Sequence, residues 1–127
     1  MAHHPAHSPG FLALVHDAKT RVREISIDEY RERVARGEAV TLVDTREDNE
    51  WARGHLPGAT HLGKGIIERD IEKAVPDKAA AIVCYCGGGF RSALVADNLQ
   101  KMGYTNVVSL AGGFRGWTGK GLPLVED

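Results

Sequence analysis

The sequence predicts an α/β fold with a mainly parallel central sheet flanked by helices on both faces. Three observations carry this. Residues 39–44 (AVTLVD) and 79–84 (AAAIVC) are continuous apolar runs, the pattern of strands buried on both faces. Between such runs lie helical stripes with start and stop signals. The chain has 127 residues, enough for one ordinary domain and one core.

The elements follow in order. Residues 1–10 (MAHHPAHSPG) read as a flexible polar tail, whose His3, His4 and His7 are at most a weak metal binder. Residues 11–21 fit a short amphipathic helix, and residues 22–127 the folded domain. Residues 22–25 make a short β-branched strand. Ser26 then caps a helix in a capping box with Glu29, and Gly37 stops it. Residues 39–44 are the first fully buried strand, and residues 47–53 a short helix ending at Gly54. A short strand is expected at 59–62, then a helix at 66–74, where Ile66, Ile67, Ile71 and Ala74 form one stripe before Pro76. The second buried strand follows at 79–84. A helix at 92–102 stops at Gly103, and residues 106–110 make the last strand. Gly112 and Gly113 turn the chain into one helical turn at 114–117, and residues 119–127 read as a terminal loop.

Composition excludes several classes. Sixteen Lys and Arg stand against seventeen Asp and Glu, a formal net charge of -1, which argues against a basic nucleic-acid binder. No apolar run approaches membrane-spanning length, and no signal peptide opens the chain. The two cysteines, Cys84 and Cys86, are too few for a disulfide scaffold or a cysteine-rich zinc site. No disulfide between them is expected, because residues i and i+2 of a strand lie near the bridgeable limit of about 6.8 Å.

The chemistry concentrates where the second buried strand opens. There Cys86-Gly87-Gly88-Gly89-Phe90-Arg91-Ser92 leads from strand to helix. Glycines let the backbone curl, and a curled loop entering a helix aims successive N–H groups at one point. A cysteine there sees donors and a helix dipole, both of which favour the thiolate. Arg91 adds a fixed positive charge. Cys84, inside the strand, reads as a small buried apolar residue. The loop is not a Walker A loop, which ends in Gly-Lys-Ser/Thr, nor a dinucleotide fingerprint, which needs glycine where Ser92 stands. His55 and His61 are the imidazoles a cysteine protease would need, but nothing in the sequence brings them to Cys86.

Four motifs in order resemble the rhodanese-type sulfurtransferases. They are the Cys86–Ser92 loop, the strand end Leu42-Val43-Asp44-Thr45-Arg46-Glu47, Gly54-His55-Leu56-Pro57-Gly58-Ala59, and the closing Ala111-Gly112-Gly113-Phe114-Arg115-Gly116-Trp117. The resemblance covers about residues 25–123.

It implies a single rhodanese-like domain that moves a sulfane sulfur through a Cys86 persulfide. The donor would be thiosulfate or a persulfide, and the acceptor cyanide, a small thiol or a partner protein's thiol. The N–H groups of Gly87, Gly88, Gly89, Phe90, Arg91 and Ser92 would cradle the persulfide and the donor's anionic group. Arg46 would help hold that donor and Asp44 would orient groups near it; alternatively the two form a structural ion pair. His55 reads as a structural hydrogen-bonding group, and Phe114, Trp117 and Trp51 as packing residues. No cofactor and no metal is expected, nor any nucleic-acid or membrane partner, and the required free thiol suits the cytoplasm.

Four residues separate Cys86 from Arg91. Related dual-specificity phosphatases and arsenate reductases carry one more, so the spacing favours sulfur transfer. A non-enzymatic sulfur carrier or regulatory module is the alternative. Thiosulfate-preferring members often carry a basic residue directly after the cysteine or one position later, where this chain has Gly87 and Gly88. The site is therefore expected to be open, with Arg91 its only loop charge.

Overall fold

The computed structural model describes residues 7–126. The tail expected at 1–10, with His3 and His4, lies mostly outside the described residues. Eleven elements run α1 (Pro9–Lys19), β1 (Arg23–Ile25), α2 (Ile27–Ala35), β2 (Thr41–Asp44), α3 (Asp48–Ala52), β3 (Thr60–His61), α4 (Ile67–Ala74), β4 (Ile82–Tyr85), α5 (Phe90–Lys101), β5 (Val107–Leu110) and α6 (Gly113–Gly119). The five strands form one sheet in the order β1-β5-β4-β2-β3, and every pairing is parallel.

Alternation along the strands sends side chains into two cores. Val43, Ile82, Cys84 and Val107 pack with Ile67 and Ile71 of α4 and Val95, Ala96 and Leu99 of α5. Leu42, Val83, Tyr85, Val108 and Leu110 pack on the opposite face with Ile27 and Tyr30 of α2 and Trp117 of α6. The sheet is thus covered by helices on both faces, as a buried parallel sheet requires.

Several boundaries differ from expectation. Helix α1 begins at Pro9, two residues early, because proline suits the first helical turn, where its missing N–H has no partner to lose. Ser26 caps α2 by accepting from Glu29 N at 3.0 Å, while the Glu29 carboxylate takes Arg33 at 2.7 Å. Helix α5 begins at Phe90 on the left-handed Gly89, φ 98°, so the loop is tighter than the sequence suggests. Helix α6 spans seven residues, not one turn. The final segment, expected as a loop, is pinned: His55 and Val125 exchange both backbone bonds at 2.9 Å.

Helix α1 packs on α5. It buries Val15 and Ala18, and the following Arg21 reaches both carboxylate oxygens of Asp97 at 2.9 Å. Its partner is therefore its own domain.

Candidate active site

Strands β2 and β4 are neighbours in register, with Asp44 opposite Tyr85. Their C-terminal ends put residues 44–46 and the Cys86 loop on one sheet edge, the edge where parallel sheets bind ligands. Cys86 is 1% exposed, and its Sγ sits low in the curl. It accepts from Gly89 N at 3.1 Å and Ser92 N at 3.4 Å, and it lies 3.5 Å from Ser92 Oγ. Burial, the largest single influence, pushes this thiol up. The Ser92 hydroxyl and the N–H groups of Ser92, Gly88 and Gly89 together outweigh it, so the pKa falls below the ordinary cysteine value. Cys84 has burial without donors and is pushed up to about 12. Both cysteines are free.

The loop's shape is held from α6. Phe114 N donates to Cys86 O at 2.8 Å and Arg115 N to Gly87 O at 2.9 Å. With those carbonyls drawn away, the later N–H groups face the sulfur. Gly113 makes the approach possible. Its φ is +52°, and a Cβ there would run into the Cys86 carbonyl. This is a physical reason for the closing glycine pair.

Arg91 is half-buried and forked onto Glu50 of α3, Nη1 to Oε1 at 2.7 Å and Nη2 to Oε2 at 3.1 Å. The Arg91 hydrogen bond holds the Glu50 carboxyl down at about 2. Glu50 Oε1 also accepts from Glu47 N at 3.1 Å, so one carboxylate closes its own helix and orients the loop arginine. Beneath the sulfur, Ser92 Oγ meets Ser109 Oγ of β5 at 2.8 Å, both side chains fully buried.

Asp44 and Arg46 form the ion pair that was the alternative to donor binding. They are 0% and 3% exposed. Arg46 Nη2 reaches Asp44 Oδ2 at 2.8 Å and Gly54 O at 2.7 Å, and its Nε spans both Asp44 oxygens at 3.1 Å. Tyr85 donates to Asp44 Oδ2 at 2.6 Å and accepts from Leu56 N at 3.1 Å. The Arg46 guanidinium also lies 4.1 Å from the Phe114 ring centre. With Nε and Nη2 so engaged, Arg46 supports α6 and the Gly54 turn. His55 is buried, with Nδ1 3.0 Å from Leu56 O, and His61 Nε2 lies 2.8 Å from Arg46 O. Trp51 is half-buried, not core, and stacks between these imidazoles at 3.6 and 4.9 Å.

A cavity of about 280 Å³ opens over the sulfur, lined by His7, Phe11, Cys86, Gly88, Phe90, Arg91 and Arg115. The expectation of an open site needs correction. Helix α1 walls one side with Phe11, and His7 just before it lies 4.8 Å from the Phe90 ring. The structure gathers residues 86–92 around the sulfur, with Glu50, Ser109, Arg115, His7 and Phe11 as neighbours that the sequence did not indicate. Only Glu50 had a local signal, its capping distance from Glu47.

The model of the rhodanese-like domain family matches residues 26–120. The chain belongs to the rhodanese-like family. Within this rhodanese-like chain, α1 and β1 lie before the matched region. It is 36% identical over 104 residues to a sulfurtransferase of Allochromatium vinosum, across 82% of this chain and 95% of that one. It is 30% identical over 99 residues to YrkF of Bacillus subtilis, a proposed sulfur carrier protein; the match takes in 78% of this chain but only about half, 52%, of YrkF. A Rhodopseudomonas palustris protein of unknown function, described as a possible tyrosine phosphatase, superposes with a TM-score of 0.84 at 27% identity, covering 98% of this chain and 100% of that one. No helix among the described residues is long and apolar enough to cross a membrane.

Proposed function

We propose that this chain is a sulfurtransferase whose nucleophile is Cys86. The observation that carries the proposal is the sulfur's environment: a buried thiol whose pKa is lowered because donors outweigh desolvation. The sulfurtransferase relative, aligned over most of both chains, supports the same reading.

In the first step the Cys86 thiolate attacks the sulfane sulfur of the donor. A new S–S bond forms and the donor's own bond to that sulfur breaks. The leaving group departs with the electron pair, as sulfite from thiosulfate or as a thiolate from a persulfide. The Cys86 persulfide is an anion, and the N–H groups of Gly87 through Ser92 are the donors available to it. In the second step cyanide or a thiolate attacks the outer sulfur, and Cys86 leaves as the thiolate. No external oxidant or reductant is needed. Asp44 and Arg46 act as positioning residues beneath the loop. The need for a free thiolate suits a reducing compartment such as the cytoplasm.

Two other readings have a specific observation behind them. The YrkF likeness favours stoichiometric sulfur carriage, and the Rhodopseudomonas likeness favours phosphate chemistry. One set of incubations separates the three. The protein is given thiosulfate or cysteine persulfide, its intact mass is read, and cyanide is added. Gain of one sulfur, thiocyanate release over many turnovers, and loss of both in Cys86→Ala are expected. Uptake without turnover would make the chain a carrier. Hydrolysis of an aryl phosphate without sulfur uptake would overturn the proposal.

A further inference from the structure

Gly87 and Gly88 bring no side chain to the position where a cation would meet an anionic donor. A cation arrives there from another element. The Arg115 backbone is tied to the loop through its N–H on Gly87 O at 2.9 Å. From that anchor its guanidinium lies back over the loop. A Cβ at Gly88 would overlap Arg115 Nη2, and one at Gly87 would sit 3.1 Å from Nη1. The space that a side chain at residue 88 would need is therefore occupied by Arg115.

Of the other arginines at this edge, Arg46 and Arg91 are engaged, and Arg53 lines a neighbouring cavity but not the pocket over Cys86. Arg91 is forked onto Glu50 and Arg46 onto Asp44. Arg115 is exposed, and among the described residues no carboxylate or carbonyl takes its guanidinium. It lines two cavities at once. One is the pocket over Cys86. The other, about 270 Å³, is lined by Arg46, Glu50, Arg53, Gly87, Phe114 and Arg115. Since Arg91 already takes the Glu50 carboxylate, the charge facing this second space is net positive.

We infer that Arg115 is the anion-binding, specificity-determining residue of this site. It holds the negatively charged group of a small sulfur donor while the transferable sulfur faces Cys86. A guanidinium suits the sulfonate of thiosulfate and the carboxylate of an amino-acid persulfide equally, because both present paired oxygens to its planar fork. The nature of the ligand rests on the sulfurtransferase proposal. The effect of Arg115 on charge at Cys86 does not, and the test exploits that difference.

Alkylation of Cys86 by iodoacetate and by iodoacetamide, which differ in charge, is followed by intact mass in the full chain at low salt. Cys86→Ala serves as the blank, since Cys84 is buried and weakly acidic. The iodoacetate-to-iodoacetamide rate ratio is expected to fall about fivefold in Arg115→Gln, the effect of losing one nearby charge in a half-wet pocket. Arg115→Lys, which keeps the charge, should restore most of it. Gly88→Ala, which displaces the guanidinium without removing it, should lower the ratio as well. An unchanged ratio in Arg115→Gln overturns the inference whatever the transfer assay gives.

The donor arm compares thiosulfate, cysteine persulfide and the persulfide of 2-mercaptoethanol, which carries no sulfonate or carboxylate. KM for thiosulfate and cysteine persulfide should rise about tenfold in Arg115→Gln, by loss of a charge-assisted hydrogen-bond pair to the sulfonate or carboxylate, and KM for 2-mercaptoethanol persulfide much less. A rise confined to thiosulfate or to cysteine persulfide identifies which anion Arg115 serves. Equal rises for all three donors overturn the inference. If the wild type takes sulfur from none, the sulfurtransferase proposal fails, while the alkylation ratio still judges Arg115.

Discussion

Ser109 of β5 and Ser92 of α5 join hydroxyl to hydroxyl at 2.8 Å, and Ser92 stands 3.5 Å from the Cys86 sulfur. A sheet residue thereby orients the hydroxyl that stabilises the thiolate. In Ser109→Ala, Ser92 loses the partner that fixes its rotor, and the Cys86 pKa should rise. In Ser92→Ala the rise should be larger, because the hydroxyl is the foremost of the groups that lower it. The check is the pH profile of iodoacetamide alkylation. Reactivity belongs to the thiolate, so it falls as pH falls through the folded pKa, and both variants should move the midpoint upward. A midpoint unmoved in both would remove the serine pair from the site.

Glu50 offers a test with a defined pH window. Its carboxyl is held at about 2 against an ordinary 4.5, chiefly by Arg91. A depressed carboxylate contributes its full stabilisation above the unfolded value and loses it as pH falls through the folded one. Glu50→Gln should thus cost about 1 kcal/mol at neutral pH, as expected for a part-exposed pair. The gap from wild type should close on acidification from about 4.5 toward about 2. Urea denaturation at several pH values measures this; a gap independent of pH would contradict the assignment.

The buried pair beneath the loop should behave differently. Asp44→Asn leaves Arg46 buried and short of its counter-ion, which typically costs about 3–5 kcal/mol. Tyr85→Phe removes one hydrogen bond to that carboxylate and should cost about 1–2 kcal/mol. Thermal unfolding would rank them, and the reverse order would show that the pair is not the principal support.

Gly113→Ala places a methyl against the Cys86 carbonyl at a left-handed φ of +52°. Backbone cannot step aside as a side chain can. A loss of about 2 kcal/mol or more is expected, together with slower alkylation of Cys86. Gly119→Ala, with open space around its Cβ, is the matched control on the same helix. Similar losses in both would assign the effect to glycine content and not to the contact.

Much of this molecule is written locally. The apolar runs at 39–44 and 79–84 declare buried strands because a sheet covered on both faces hides three or four successive side chains of a short segment. Ser26, Gly37 and Gly103 mark helix ends through their own capping and backbone preferences. The sulfur's donors are equally local, since Gly89 and Ser92 are within six residues of Cys86. Where expectation slipped, as at the start of α5, a left-handed glycine tightened the loop in a way that composition alone does not specify.

The sequence by itself determined the α/β class, the order of the elements, and the loop that presents Cys86, since these rest on short-range periodicity and on backbone freedom. Only the tertiary structure decided what surrounds that loop. It set Arg46 on Asp44, Glu50 on Arg91, Ser109 under Ser92, Arg115 over Gly88, and α1 against α5. The reason is physical. Most of these partners lie tens of residues apart, and their meeting follows from which strands pair and which face each helix buries, not from spacing along the chain.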